Sequence, residues 1–233
     1  TAINFCTGTT LVVAGQGTYS VNADGTVSFD PLPTFSGTAT AIEYVVADSL
    51  GQKVSSTITP TVGKPALPTA NPDTTSGPKG ATQSINLITN VDGADAAGQA
   101  GVSLVASSVK LCGVGEVSPN CTKTSVVVSG VGSYSVNASG VMSFVPEANF
   151  TGTPAPLAYT VLDSTGQKAA STYTPTVIAP PVVVPDVNSD AWDVTQSIDP
   201  LANDAAASGL TLDVSSVKIC VTGTAINFCT GTT

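Results

Sequence analysis

The ten residues Thr224–Thr233 (TAINFCTGTT) are letter for letter the ten residues Thr1–Thr10, so the fold must accommodate one segment at both ends of a 233-residue chain. The identity belongs to a wider repetition. Thr18–Val62 aligns without a gap on Ser133–Val177, at an offset of 115, with 25 of 45 positions identical. TQSI at Thr82–Ile85 returns at Thr195–Ile198, and SSVKLC at Ser107–Cys112 returns as SSVKIC at Ser215–Cys220. A period of roughly 110 residues is the size of one small domain. Counted in that period, residues 71–177 are one complete repeat, 1–62 the back part of a preceding one and 186–233 the front part of a following one. Between them lie linkers at 63–70 and 178–185. Proline in both favours stiff, extended polyproline II over a loose tether.

A half repeat cannot close a two-sheet core alone, because both sheets must contribute inner faces. Three arrangements would complete it: a window of a long tandem array, a subunit whose halves complement head to tail by strand donation, or a permuted monomer whose own halves dock. The duplicated ten residues favour the array, since a self-complementing subunit has no need to own the same strand twice.

Composition narrows the chemistry. Thr and Ser supply 58 residues, Gly 22 and Pro 16, while charged residues are 10% of the chain, which points to β structure and away from helical bundles. There is no His and no Arg, and the net charge is −9. Imidazole-based catalysis and His-containing zinc sites are therefore excluded, and nucleic acid and anionic membranes would be repelled. No run approaches the ~20 apolar residues that a membrane-spanning helix needs.

The strand signals are period-two. Tyr134 and Val136 alternate up to the turn Asn137-Ala138-Ser139-Gly140, with Val141 and Phe144 following, and Asn22-Ala23-Asp24-Gly25 is the matching turn in the back part. Asn, Asp and Gly close such hairpins because they tolerate positive φ. Further strands are expected over 42–48, 157–163, 54–62 and 169–177. Tyr44, Tyr159, Phe35 and Phe150 are expected in the core. Cys112 and Cys121, and Cys220 and Cys229, stand at the same spacing in the two copies, and opposite positions of a hairpin would bring each pair within bonding range. Cys6 corresponds to Cys229 and is expected to pair with a cysteine outside the chain or in a neighbouring copy. Disulfides in successive repeats imply an oxidising compartment.

The phrases YSVNADGTVSFDP, FSGT, YVVADSLGQK and TITPTV, echoed by YSVNASGVMSFVP, FTGT, YTVLDSTGQK and TYTPTV, resemble the CshA-type fibril repeats of bacterial surface adhesins. The resemblance spans essentially the whole chain. It implies all-β, tandem antiparallel Ig-like β-sandwich modules in a linear array, forming an extracellular stalk on a bacterial cell surface, with neighbouring repeats as partners and adhesion in a region not present here. No catalytic residue, no metal site and no cofactor is expected, and the chain is not expected to be an enzyme.

Asp73, Asp186 and Asp190 near the linkers could bind calcium only as part of a denser acidic cluster than the sequence shows. An isopeptide crosslink would draw on Lys53, Lys168, Lys110 or Lys218 with Asn22 or Asn137 and a buried Asp48 or Asp163. A carbohydrate-binding module, with the single Trp192 as stacking residue, is the alternative from a different class.

Overall fold

The computed structural model describes residues 6–91 and 93–220. The described chain is almost wholly strand, turn and extended segment, with one 3-10 turn at Val214–Ser216. By contacts it divides into a first unit of Thr1–Thr69, Ala96–Leu104 and Leu162–Ala169, and a second of Ala70–Asp95, Val105–Val161 and Ala170–Thr233.

The first seven strands are β1 (Thr10–Val13), β2 (Gly17–Val21), β3 (Val27–Pro31), β4 (Gly37–Thr38), β5 (Ile42–Ala47), β6 (Lys53–Ile58) and β7 (Thr61–Val62). β1, β2 and β3 form an antiparallel meander, β5 pairs β6, and β4 pairs β7. The β2–β3 turn closes as its letters require. Asn22 N donates to Thr26 O at 2.8 Å, Asp24 Oδ1 accepts from Thr26 N at 3.0 Å, and Gly25 takes φ 84°.

The next eight strands are β8 (Asp73–Pro78), β9 (Gln83–Asn86), β10 (Leu104–Leu111), β11 (Ser125–Val128), β12 (Gly132–Val136), β13 (Val141–Pro146), β14 (Leu157–Asp163) and β15 (Lys168–Ile178). They make two four-stranded sheets, ordered β10-β14-β15-β8 and β11-β12-β13-β9. Inward positions alternate with outward ones along β12 and β13, as strand geometry dictates. Tyr134 lies opposite Phe144 with ring centroids 4.7 Å apart, and Tyr173 of the other sheet meets Tyr134 edge-on at 6.2 Å. These rings, with Leu87, Leu111, Met142, Tyr159 and Val161, are fully buried. The sheets thus pack face to face as a β-sandwich. One edge departs from the antiparallel expectation: β8 runs parallel to β15, from Asp73 opposite Tyr173 to Pro78 opposite Ile178. A parallel pair needs a long connection, and here the connection is the whole repeat, since β8 opens it and β15 closes it.

The back part at 1–62 has the same strand sequence as 125–177 but a different burial. Tyr19 and Tyr134 are both 2% exposed, whereas Tyr44 is 39% exposed against 0% for its counterpart Tyr159, and Val46 is 53% against 0% for Val161. Tyr44 is therefore not a core residue here, contrary to the expectation. The reason lies in the sheets: β9, β10 and β8 flank β13, β14 and β15, and no strand among the described residues flanks β3, β5 and β6 at the equivalent edges. The front part gives the complementary result. TQSI and SSVK lie in or beside β9 and β10 in the complete repeat, yet their copies at 195–198 and 215–218 form no strand. A strand needs a neighbour to satisfy its backbone, and letters alone do not supply one.

Candidate functional site

The residues that join the front of a repeat to its back form a connected polar cluster in the second unit. Tyr159 Oη on β14 lies 3.2 Å from both the backbone oxygen of Asn71 and Asp95 Oδ2, its one proton donated to Asp95. Asp95 Oδ1 accepts from Asn71 N at 2.8 Å, holding the start of the repeat against the loop after β9. Asp73, only 2% exposed, accepts from Asn90 Nδ2. Burial pushes the Asp73 carboxyl up to about 6, against the opposing pull of Tyr159 and Asn90. Burial likewise raises Asp95 to about 6, and the nearby Asp73 charge adds to it. A second polar bridge crosses the sandwich. Gln83 on β9, 5% exposed, donates through Nε2 to Thr176 O at 2.9 Å and accepts from Thr75, whose hydroxyl lies 2.6 Å from Tyr173 Oη. Neither cluster holds a nucleophile beside a base. What they do is fix front strands onto back strands, because a buried polar group left unpaired is costly.

Cys112 and Cys121 form a disulfide, with Leu111 and Lys123 exchanging backbone hydrogen bonds of 2.8 and 3.0 Å just outside the loop it closes. Glu116 organises the enclosed loop by accepting from Gly113 N at 2.8 Å and Thr122 N at 3.1 Å. Hydrogen bonds, that of the Thr122 hydroxyl first, hold its carboxyl below the usual range. Cys220 is disulfide-bonded, and its expected partner Cys229 lies outside the described residues. Cys6 is exposed with a free thiol.

The remaining candidates are turn residues. Asn137 Oδ1 accepts from Ser139 N and Val141 N, and Asn22 Nδ2 donates to Thr26 Oγ1. Asp163 Oδ1 accepts from the Thr165 hydroxyl at 2.8 Å and from Thr165 N and Gln167 N at 2.8 and 2.9 Å; burial pushes its carboxyl up, but these hydrogen bonds, the hydroxyl's first, outweigh it and keep the carboxyl low. Asp48 Oδ1 likewise accepts from Leu50 N at 2.9 Å and Gln52 N at 2.8 Å. Trp192 is 94% exposed. Among the described residues no group of three or more His, Cys, Asp or Glu could hold a metal ion, and no helix is long and apolar enough to cross a membrane.

These strands, turns and junctions match a known pattern twice in series: the repetitive domain of the surface adhesin CshA aligns with residues 3–62 and again with 65–177. The chain belongs to the CshA repeat family. No curated protein matches it. Among solved structures, the N-terminal eight Ig domains of Down Syndrome Cell Adhesion Molecule, isoform 1.30.30, superpose with a TM-score of 0.28 at 10% identity, over 72% of this chain and 21% of that one. The chain thus spans about a fifth of that structure, and the sandwich assignment stands on its own sheets. Two features of this CshA repeat escaped the sequence reading. Gln167, from the recurring GQK, donates from Nε2 to Pro65 O at 3.3 Å and Ala66 O at 3.4 Å, while Gln99 accepts from Ala66 N at 3.3 Å, so two side chains of the first unit grip the linker. Gly132 opens β12 at φ 156°, where an added Cβ would meet Val145 O at 2.4 Å, and Gly17 repeats the contact at Asp30 O. The recurrence of both residues at the offset of 115 was the available signal.

Proposed function

We propose that this chain is a length of the structural stalk of a bacterial extracellular fibre, in which CshA repeats in series project an adhesive region from the cell surface. The role is mechanical and needs no catalysis. One observation carries the reading: the family pattern occurs twice in tandem, joined by a short linker, and the complete copy is a sandwich of its own with a disulfide across one loop. Stability in such an array is a sum of repeat and neighbour terms, so length grows by duplication without a new folding problem. The charge supports an extracellular setting, since a net −9 with no Arg suits neither nucleic acid nor anionic lipid. Electron micrographs of the native surface material test it. Single-file strings of globules at the spacing of one repeat are expected, and isolated compact particles would refute it.

A further inference from the structure

We propose that Asp73, Asn90 and Asp95 form a cation site at the head of the complete repeat, and that its ligand is a calcium ion held by their buried oxygens. The inference is independent of the stalk reading and uses only residues of the second unit.

Two orphaned atoms point to the ligand. Asp73 Oδ2 and Asn90 Oδ1 are buried and accept no hydrogen bond, and no other buried side-chain oxygen or nitrogen among the described residues is left so. An unpaired buried acceptor is costly, the more so when it carries charge. The protons nearby are already committed. The Asn90 amide donates to Asp73 Oδ1 and to the backbone oxygen of Asn86 at 3.2 Å. Asn71 N donates to Asp95 Oδ1, and the Asn71 side-chain amide to Ala94 O at 3.0 Å. The one proton of Tyr159 goes to Asp95 Oδ2, so none is left for the Asn71 carbonyl at the same distance. What remains is a set of acceptors, and the Asp73 charge raises Asp95 across it. A water supplies two protons but no charge, whereas a divalent cation satisfies the lone pairs and cancels both carboxylates.

Gly93 keeps room for the ion. Its backbone lies outside the left-handed region, so its conformation does not call for glycine. The constraint is on its side chain: an added Cβ would meet Pro72 O at 3.2 Å and Asn90 Oδ1 at 3.8 Å. Two oxygens thus face the space that Gly93 leaves open, and one of them is an orphan. The donor set decides which ion fits. All the donors are oxygen, from two carboxylates, a side-chain amide and main-chain carbonyls, placed on a strand start and a loop. Such irregular oxygen ligation suits calcium, which takes roughly six to eight oxygens, while magnesium demands a near-octahedral shell. With two carboxylates rather than three, the site belongs with the weaker calcium sites, Kd on the order of 0.1–1 mM. In the metal-free chain a proton takes the ion's place, and it is this form whose stability follows pH.

Thermal unfolding of the full chain tests this, first stripped with a chelator and then with calcium chloride added. At calcium about a hundredfold above its Kd, folding is favoured about a hundredfold more, so the melting temperature of the complete repeat is expected to rise. Magnesium chloride at the same concentration is expected to give a shift several-fold smaller. Asp73→Asn keeps the side-chain shape and removes the charge, and is expected to abolish the calcium shift. Gly93→Ala fills the open space while leaving both carboxylates, and is expected to weaken calcium binding about tenfold or more. The proposal is overturned if calcium leaves the melting temperature of the unsubstituted chain unchanged, or if either folded variant responds as that chain does. It is overturned equally if magnesium matches calcium, since the ions would then only screen a chain of net charge −9.

Discussion

Tyr159 donates its one proton 3.2 Å to Asp95 Oδ2 while lying 3.2 Å from Asn71 O, so a single hydroxyl from the back of the repeat holds two points of its front. That contact and the Gln83 amide on Thr176 O each tie one end of the repeat to the other.

Replacing Tyr159 with Phe keeps the ring in place and removes these contacts. The expected loss is about 1–2 kcal/mol, measured as a lower urea midpoint with the same slope. An unchanged midpoint would mean that the hydroxyl contributes nothing to closure.

The Asp73 and Asp95 pair sets a pH dependence. Both carboxyls are raised to about 6 in the fold, chiefly by burial, from an ordinary 3.8. Between those values the folded state holds protons that the unfolded chain has released, so stability falls as pH rises through the window. The melting temperature should be higher at pH 5 than at pH 7.5, and Asp73→Asn with Asp95→Asn should flatten the difference. Asp163 and Glu116, whose carboxyls are lowered, oppose this trend only at more acid pH, where their contributions are lost. A melting temperature that rises from pH 5 to 7.5 would contradict the burial of the pair.

Reducing the Cys112–Cys121 bridge, or replacing both residues with Ser, releases a short loop in the unfolded state. A destabilisation of about 2–4 kcal/mol is expected, read as a lower melting temperature of the complete repeat.

Gly132→Ala places a methyl 2.4 Å from Val145 O at a φ of 156°. The strand start must shift, and a loss of about 1–3 kcal/mol is expected by chemical denaturation. Gly130, with nothing within 4 Å of an added Cβ, is the comparison for the left-handed backbone alone.

The hairpin turns, the strand runs and the Cys112–Cys121 pairing were legible because each is local: Asn137 and Gly140 fix a turn from their own chemistry. The parallel β8–β15 edge was not legible, since Asp73 and Tyr173 meet across the whole repeat. Nor was the burial of Gln83 and Asp73, polar residues whose partners Thr176 and Tyr159 lie far along the chain. Tyr44 and the SSVK copy at 215–218 failed for one shared reason. Their letters specify a strand or a core position, but partner strands decide whether it is realised.

The central claim is that a repeat is a closed sandwich only when front and back are both present, and the most direct measurement compares the urea unfolding of residues 71–177 and residues 1–62 as separate polypeptides at low concentration. The account predicts one cooperative transition for 71–177 and none for 1–62. A cooperative transition in isolated 1–62, or its absence in 71–177, would contradict it.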